Sequence, residues 1–315
     1  MDECISIIVP VFQAGDALRD SVESALRQTY DNIEIILVDA GSADGSGPIC
    51  DEYAKLDFRV RALHLDCQDI YTARNAGLDC AKGKYIGFMD AGDWMAPDFC
   101  QKLREQIKKE RVDIVACGYW EESGKRKQKV DCSADKPVLA WRDAYLAILQ
   151  PDVLGGFVWN KLFDAAIFQN GLRFDNAMGK YADAVMLATG ICQRAKAACL
   201  PEMMYHRRDI VVGEQACPIT AERRAQMHLE ACRKLIRMAA PMGDDVVALA
   251  KCRYGEAAAN LLCYARRADN QGDAAFFRQE ARQCRWIFYR SKYTTFSEKL
   301  ALFMKIYFPM AAKIG

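Results

Sequence analysis

Ile5-Ser-Ile-Ile-Val-Pro-Val11 is the stretch that decides the fold. A β-branched, nearly continuous apolar run of this length reads as a strand covered on both faces. Working outward, Ala17 to Gln28 places Leu18, Val22, Ala25 and Leu26 on one helical face, and Ile33 to Val38 is a second buried strand that ends at Asp39. The pattern then predicts a helix over Ile49 to Leu56, a strand over Val60 to Leu65, a helix over Tyr71 to Ala81 and a strand over Tyr85 to Met89. That alternation implies a Rossmann-like, mostly parallel α/β sheet with right-handed crossovers. Ligands of such sheets bind at the carboxyl ends of the strands. The polar residues of interest gather there: Gln13 beside Phe12, Asp39 to Ser46, and Asp90 to Asp93.

Past Asp98 the pattern changes. A helix near Phe99 to Lys109 leads to a strand over Asp113 to Tyr119 and a charged, hairpin-like stretch from Glu121 to Lys129. Trp141 to Tyr205 mixes helices with short strands. From Thr220 onward the chain reads as entirely helical, with Thr220 as an N-cap, Pro241 as a stop and Asp244 opening another helix. Thr295 and Glu298 have the spacing of a capping box ahead of the last helix.

Composition narrows the class. The chain has 315 residues, 51% of them apolar, enough for a sizeable core. A formal charge of +1 and a pI near 7.4 give no global attraction to nucleic acid. Its 14 cysteines are scattered singly, without CxxC pairs or Cys/His zinc spacing. The N-terminus runs straight into a strand, leaving no room for a signal peptide, and no apolar run reaches the ~18 residues of a membrane span. A cytoplasmic location is the expectation. The absence of GxGxxG after the first strand argues against a nicotinamide-dependent oxidoreductase.

Four local patterns, in one order, resemble the inverting family-two glycosyltransferases of the GT-A fold. They are Ser6-Ile-Ile-Val-Pro-Val-Phe12; Gln28-Thr-Tyr-Asp-Asn-Ile-Glu-Ile-Ile-Leu-Val-Asp39 with Ala40-Gly-Ser-Ala-Asp-Gly-Ser46; Ala73-Arg-Asn-Ala-Gly77 with Gly83-Lys-Tyr-Ile-Gly-Phe-Met-Asp90; and Trp159-Asn-Lys-Leu162 with Tyr181-Ala-Asp183. The resemblance covers about residues 5 to 210. It implies a GT-A-like domain over 1–215 and a helical C-terminal region over 216–315. The implied activity is transfer of a hexose or N-acetylhexosamine from a UDP-sugar to a glycan acceptor in bacterial surface polysaccharide synthesis.

An enzyme of this kind must hold a flat base, a ribose and a diphosphate that leaves. Phe12 offers an aromatic face, Asp39 can accept from base or ribose, and the small Gly41 to Ser46 loop allows close backbone approach. Arg74, near a helix start, suits phosphate. By the resemblance, Pro10, Phe12, Asp39, Arg74 and Asp90 line the nucleotide pocket. The alternative is an ordinary βα turn with a structural Arg–Asp pair.

The family's Asp-x-Asp-Asp appears as Asp90-Ala-Gly-Asp93. Alternate residues at a strand end face one side, so position 92 points with Asp90 if the strand stays regular. Asp93 is one residue out of phase and joins Asp90 only through an irregular backbone, which Gly92 permits. The resemblance therefore implies a weak Mn2+ or Mg2+ site at Asp90 and Asp93. Two further family carboxylates are replaced by Ala40 and Ala182. Asp183 matches the family's general base, and it equally suits a helix N-cap.

Trp159 and Lys161 are candidates for the acceptor side, Trp159 as a stacking surface or as core. Arg207 and Arg208 are candidates for charge near the diphosphate, or form a solvated basic loop. From Arg278 to Gly315 there are eight Lys/Arg and two Glu among many aromatics, and Phe296, Leu300, Phe303 and Tyr307 share one helical face. Such a helix fits an anionic membrane surface, here the inner membrane face where lipid-linked glycans are acceptors. It equally fits packing against the catalytic domain or contact with a second copy in a homo-oligomer. The rival to an active enzyme is a weakened relative that binds nucleotide or glycan as a partner subunit.

Overall fold

The computed structural model describes residues 3–124, 126–208 and 221–311. Thr220, expected to cap a helix, lies outside the described residues. Two compact units are present: Met1–Asn176 with Ala182–Pro218, and Ala177–Tyr181 with Ile219–Gly315.

The first unit opens with the expected alternation: β1 (Ile5–Val11), α1 (Ala17–Leu26), β2 (Ile33–Asp39), α2 (Ser46–Leu56), β3 (Val60–His64), α3 (Ile70–Cys80) and β4 (Tyr85–Phe88). α2 begins three residues before its apolar pattern does. Gly45 turns the chain at φ 93°, and the Asp44 carboxylate accepts from the Ser46 amide and hydroxyl, so the polar loop itself starts the helix. The remainder is β5 (Trp94–Met95), α4 (Phe99–Glu110), β6 (Ile114–Ser123), β7 (Arg126–Val130), β8 (Leu139–Ala140), α5 (Arg142–Ile148), β9 (Lys161–Asp164), α6 (Ala182–Cys192) and β10 (Lys196–Arg208).

Among the described residues these strands form one sheet in the order β3-β2-β1-β4-β9-β6-β10-β5, with β7 beside β6 and β8 beside β10. β3, β2, β1 and β4 are mutually parallel, and β9 enters antiparallel between β4 and β6. β1 is wholly buried, as its nearly continuous apolar sequence requires, and its one polar side chain, Ser6, donates to Glu34. It pairs with β2 up to Val11↔Asp39 but with β4 only up to Ile8↔Phe88. The end of β1 therefore projects past β4. Ile8 turns its carbonyl to Met89, so Pro10, of the same parity, faces the side where β4 has ended and no ladder bond is lost. On the sheet face, α3 packs so closely that a Cβ on Gly77 would stand 2.4 Å from Ile8 Cγ2.

The second unit contains α7 (Ala221–Ala239), α8 (Asp244–Arg267), α9 (Gln271–Arg290) and α10 (Phe296–Tyr307). α8 and α9 approach at Gly255, where a Cβ would lie 2.7 Å from Cys284 Cβ. The Thr295–Glu298 capping box starts α10 as expected. α10 buries Leu302, Lys305 and Ile306 and leaves Phe296, Leu300, Phe303 and Tyr307 exposed. No helix among the described residues is long and apolar enough to cross a membrane.

Candidate active site

With β2 on one side of β1 and β4 on the other, the chain reverses direction of travel across the sheet at β1. The crevice beyond the carboxyl ends of β1 and β4 is the place where open α/β sheets hold ligands. Phe12 follows directly on β1 and Asp90 lies two residues past β4, and Phe12 is half-buried.

Arg74 organises this crevice. Its guanidinium is 2% exposed and reaches in two directions, Nη1 to Asp183 Oδ1 at 2.5 Å and Nη2 to Asp90 Oδ1 at 2.5 Å. It lies between the rings of Tyr71 and Phe174, with centroids 5.5 and 5.4 Å away. Asn75 clamps Phe174 by exchanging two hydrogen bonds with its backbone at 2.9 Å. The sequence reading set Arg74 against phosphate; the structure instead places it between two carboxylates. Its Nε is buried with no partner among the described residues.

Asp183 lies inside the first turn of α6, not at its N-cap. Burial pushes its carboxyl up to about 6, opposed by the Arg74 charge, the Val158 amide and Lys161. Asp90 is the accessible partner, with a side chain 39% exposed and one oxygen on Arg74.

The loop after β4 is irregular. Gly92 has φ 102°, its amide donates to Ser21 Oγ at 2.7 Å, and Ser21 in turn donates to the Asp93 carbonyl at 2.7 Å. Position 92 therefore does not continue the strand. Asp93, expected as a second metal ligand, turns inward: Oδ2 accepts from Tyr205 Oη at 2.8 Å and Oδ1 from the Arg208 amide at 2.8 Å. Burial, and then the charge of Asp90, raise it to about 7. Among the described residues no three His, Cys, Asp or Glu side chains converge as ion ligands. The donor set thus fits a divalent ion held by the open Asp90 oxygen together with substrate phosphates, the manner in which magnesium is often bound. It does not fit an ion caged by protein.

Asp39 stands at the carboxyl end of β2. It is 5% exposed, Oδ1 accepts from the Ser42 amide at 3.0 Å, and Oδ2 lies 3.2 Å from His64 Nδ1. Trp159 is core: 6% exposed, it stacks on Phe157 at 4.3 Å and on Tyr205 at 4.9 Å. Lys161 is fully buried, its Nζ donating to the Phe157 carbonyl at 2.6 Å and to Asn160 Oδ1 at 2.8 Å, and burial lowers its pKa to about 8. The structure therefore presents neither residue to an acceptor. Arg207 pairs with Glu121 and Arg208 with Asp20.

The sequence assigned no role to Tyr71, Asn75, Phe174 or Tyr205, although Asn75 lies inside a quoted pattern. Tyr71 and Asn75 flank Arg74, and Tyr205 precedes the basic stretch, so proximity to quoted motifs was the available signal. Phe174, far from any of them, left none.

An open sheet with its carboxylates gathered at the switch point defines the GT-A class of nucleotide-sugar fold. The model of glycosyl transferase family 2 matches residues 6–171, and the chain belongs to that family. It is 35% identical over 170 residues to EpsH of Bacillus subtilis (strain 168), an alignment that takes in 52% of this chain and 48% of EpsH. The chain spans about half to three-fifths of the length of the curated relatives it matches first. Its fold resembles S. aureus TarS 1-349 in complex with UDP, with TM-score 0.63, 14% identity, and coverage of 89% of this chain and 91% of that one. It also resembles the mannosyltransferase PcManGT from Pyrobaculum calidifontis in complex with GDP-Man and Mn2+, with TM-score 0.58, 18% identity, and coverage of 97% and 86%.

Proposed function

We propose that the protein transfers a hexose or N-acetylhexosamine from a UDP-sugar to a glycan acceptor in the synthesis of a bacterial surface polysaccharide. The observation that carries this reading is Asp183: a buried carboxyl raised to about 6, joined through Arg74 to Asp90 at the sheet's switch point. At neutral pH it is mostly ionised and can accept a proton. In the proposed displacement, Asp183 takes the acceptor hydroxyl's proton while that oxygen bonds to the sugar's anomeric carbon. The bond from that carbon to the diphosphate breaks, UDP leaves with the electron pair, and the configuration inverts. Once Asp183 is protonated, Arg74 keeps its charge balanced on Asp90, so the site is never left with an unpaired buried cation.

On the donor side, Pro10, Phe12 and Asp39 border the base and ribose, and Asp90 borders the diphosphate. Arg74 acts on the nucleotide by fixing Asp90. A bound Mn2+ or Mg2+ would be held by Asp90 and the diphosphate, and would offset charge on the leaving nucleotide. The nucleotide choice is supported by the fold likeness to a protein crystallised with UDP. The test is transfer from a panel of UDP-sugars by the native chain and by Asp183→Asn. Transfer that survives the substitution would rule Asp183 out as the base.

The second reading, a nucleotide- or glycan-binding subunit with little turnover, is favoured by Ala40 and Ala182, both 0% exposed at the positions where the family resemblance implies acids. Binding by calorimetry without transfer would select it.

Donor and acceptor chemistry belongs, in this proposal, to residues 1–215, and attachment to 216–315. Arg278, Arg282 and Arg285 of α9 form no ion pair among the described residues, whereas surface arginines such as Arg19 and Arg173 do. Arg282 sits over Tyr307 at 5.5 Å and Arg285 over Trp286 at 5.2 Å. Unpaired cations beside exposed aromatics suit an anionic bilayer, which would place the protein at the cytoplasmic face of the membrane with lipid-linked glycan as acceptor.

A further inference from the structure

His64 ends β3 and stands in register with Asp39, which ends β2. Its ring is clamped on both sides. Nδ1 lies 3.2 Å from Asp39 Oδ2, and Nε2 lies 3.0 Å from Asp51 Oδ1 on α2. An ionised carboxylate only accepts, so both contacts are hydrogen bonds only when both ring nitrogens carry protons. This arrangement favours the charged ring, whose pKa is raised by Asp51 first and Asp39 second.

Asp39 is held at both carboxylate oxygens. The Ser42 amide takes Oδ1, and Oδ2 lies so near the first turn of α2 that a Cβ on Gly47 would stand 2.9 Å from it. Gly47 leaves the space, and His64 supplies the charge that draws the carboxylate into it. When His64 loses its proton, a ring lone pair faces one of the two carboxylates, and two negative charges remain without the cation between them. The attraction that oriented Asp39 becomes a repulsion.

We propose that His64, as an imidazolium, is the positioning residue that fixes Asp39 for the nucleotide, so that donor affinity is high while His64 is protonated and falls as it deprotonates. This rests on the reading of Asp39 as a nucleotide contact. The ligand class is a nucleoside whose base or ribose donates an N–H or O–H to a carboxylate, as the uracil imide does. The sign follows from the raised pKa: affinity is full at low pH and is lost as pH rises through the folded-state value.

The test is calorimetry with UDP-glucose and UDP-N-acetylglucosamine from pH 5.5 to 8.5, with the full chain. Both phosphates of these probes are diesters and do not titrate in that range. Three proteins are compared: native, His64→Gln, and Asp51→Asn. Asp51 touches His64 but not Asp39, so its loss lowers the His64 pKa without disturbing the nucleotide contact directly. The native chain should lose about tenfold in affinity across a break, His64→Gln should bind more weakly with that break removed, and Asp51→Asn should show it at lower pH. Asp183 and Asp93 also titrate within or near this window, and any break they cause would persist in both variants. NMR titration of the His64 ring, identified by its disappearance in His64→Gln among the chain's 3 histidines, reads its pKa without nucleotide. If the break whose midpoint matches the His64 pKa read by NMR survives His64→Gln, or stays in place in Asp51→Asn, the clamp is overturned while Asp39 remains a nucleotide contact; a break at another midpoint belongs to Asp183 or Asp93. No binding at any pH, with a normally folded chain and a raised His64 pKa, overturns the nucleotide reading and the clamp's purpose together.

Discussion

Arg74 holds Asp183 at 2.5 Å across 109 positions of sequence, in a place that leaves the arginine 2% exposed. The pair, with Asp90 on the other guanidinium nitrogen, is a buried triad in which the central cation is shared. Removing one member of such a group leaves a charge without its partner, which is typically worse than never having had the group.

Arg74→Ala should therefore act on stability as well as on binding. We expect a loss of about 3–5 kcal/mol in chemical denaturation, the usual effect of breaking a buried pair. Arg74→Lys should rescue little, because an ammonium cannot fork to two carboxylates as the guanidinium does. An Arg74→Ala chain as stable as the native one, but defective only in nucleotide affinity, would show that the arginine belongs to the ligand after all.

The pH dependence of transfer follows from Asp183. Its folded pKa, about 6, lies above the ordinary carboxylate value, and the base works only when ionised. Turnover should climb with pH through that value and level off above it. Because Arg74 holds the pKa down, Arg74→Gln should move the climb to higher pH. Stability takes the opposite sign. Asp183 and Asp93 both have raised folded pKa values, so their contribution is full below about pH 4 and is lost as pH rises through 6 and 7. A rate profile flat between pH 5 and 8 would remove Asp183 from the proton transfer.

Restoring the family's third acid should not restore a metal site. On a regular strand, Gly92→Asp would set a carboxylate beside Asp90. At φ 102° with its amide tied to Ser21, position 92 disfavours any side chain. Strain of about 1–2 kcal/mol should lower the melting temperature by roughly 2–8 °C without a gain in Mn2+-dependent UDP-sugar affinity. For the same reason, adding Ala182→Glu should not amplify the change. Calorimetry with and without Mn2+, beside a thermal melt, decides it: tighter metal-dependent binding at unchanged melting temperature would mean the loop accepts a regular strand.

Attachment to anionic bilayers should depend on α9 and α10. Truncation after Phe277 is a poor probe, because it cuts α9 in mid-helix and strips α8 of its contact at Cys284. Arg282→Glu with Arg285→Glu changes only exposed or half-exposed positions. In flotation with phosphatidylglycerol vesicles, the native chain should float and release with salt, and the double variant should stay below. Equal flotation would assign the aromatic face elsewhere, and light scattering would show whether a second copy covers it.

The sequence by itself determined the order of strands and helices and the GT-A class. The order rests on local signals: β1 reads as a strand because it is apolar but for Ser6, and α10 starts where Thr295 and Glu298 can cap it; the class rests on the resemblance carried by the four quoted patterns. It also located the crevice, since the polar residues follow strand ends. Only tertiary structure decided what those residues do there. Arg74 as a bridge, Trp159 as core, Asp93 turned inward to Tyr205, and His64 locked between Asp39 and Asp51 each depend on partners from distant segments or on one backbone angle at Gly92. A residue type announces the charge or ring it brings. Which neighbour satisfies that group is settled by burial, because a charge withdrawn from water must take whichever partner the fold has placed within reach.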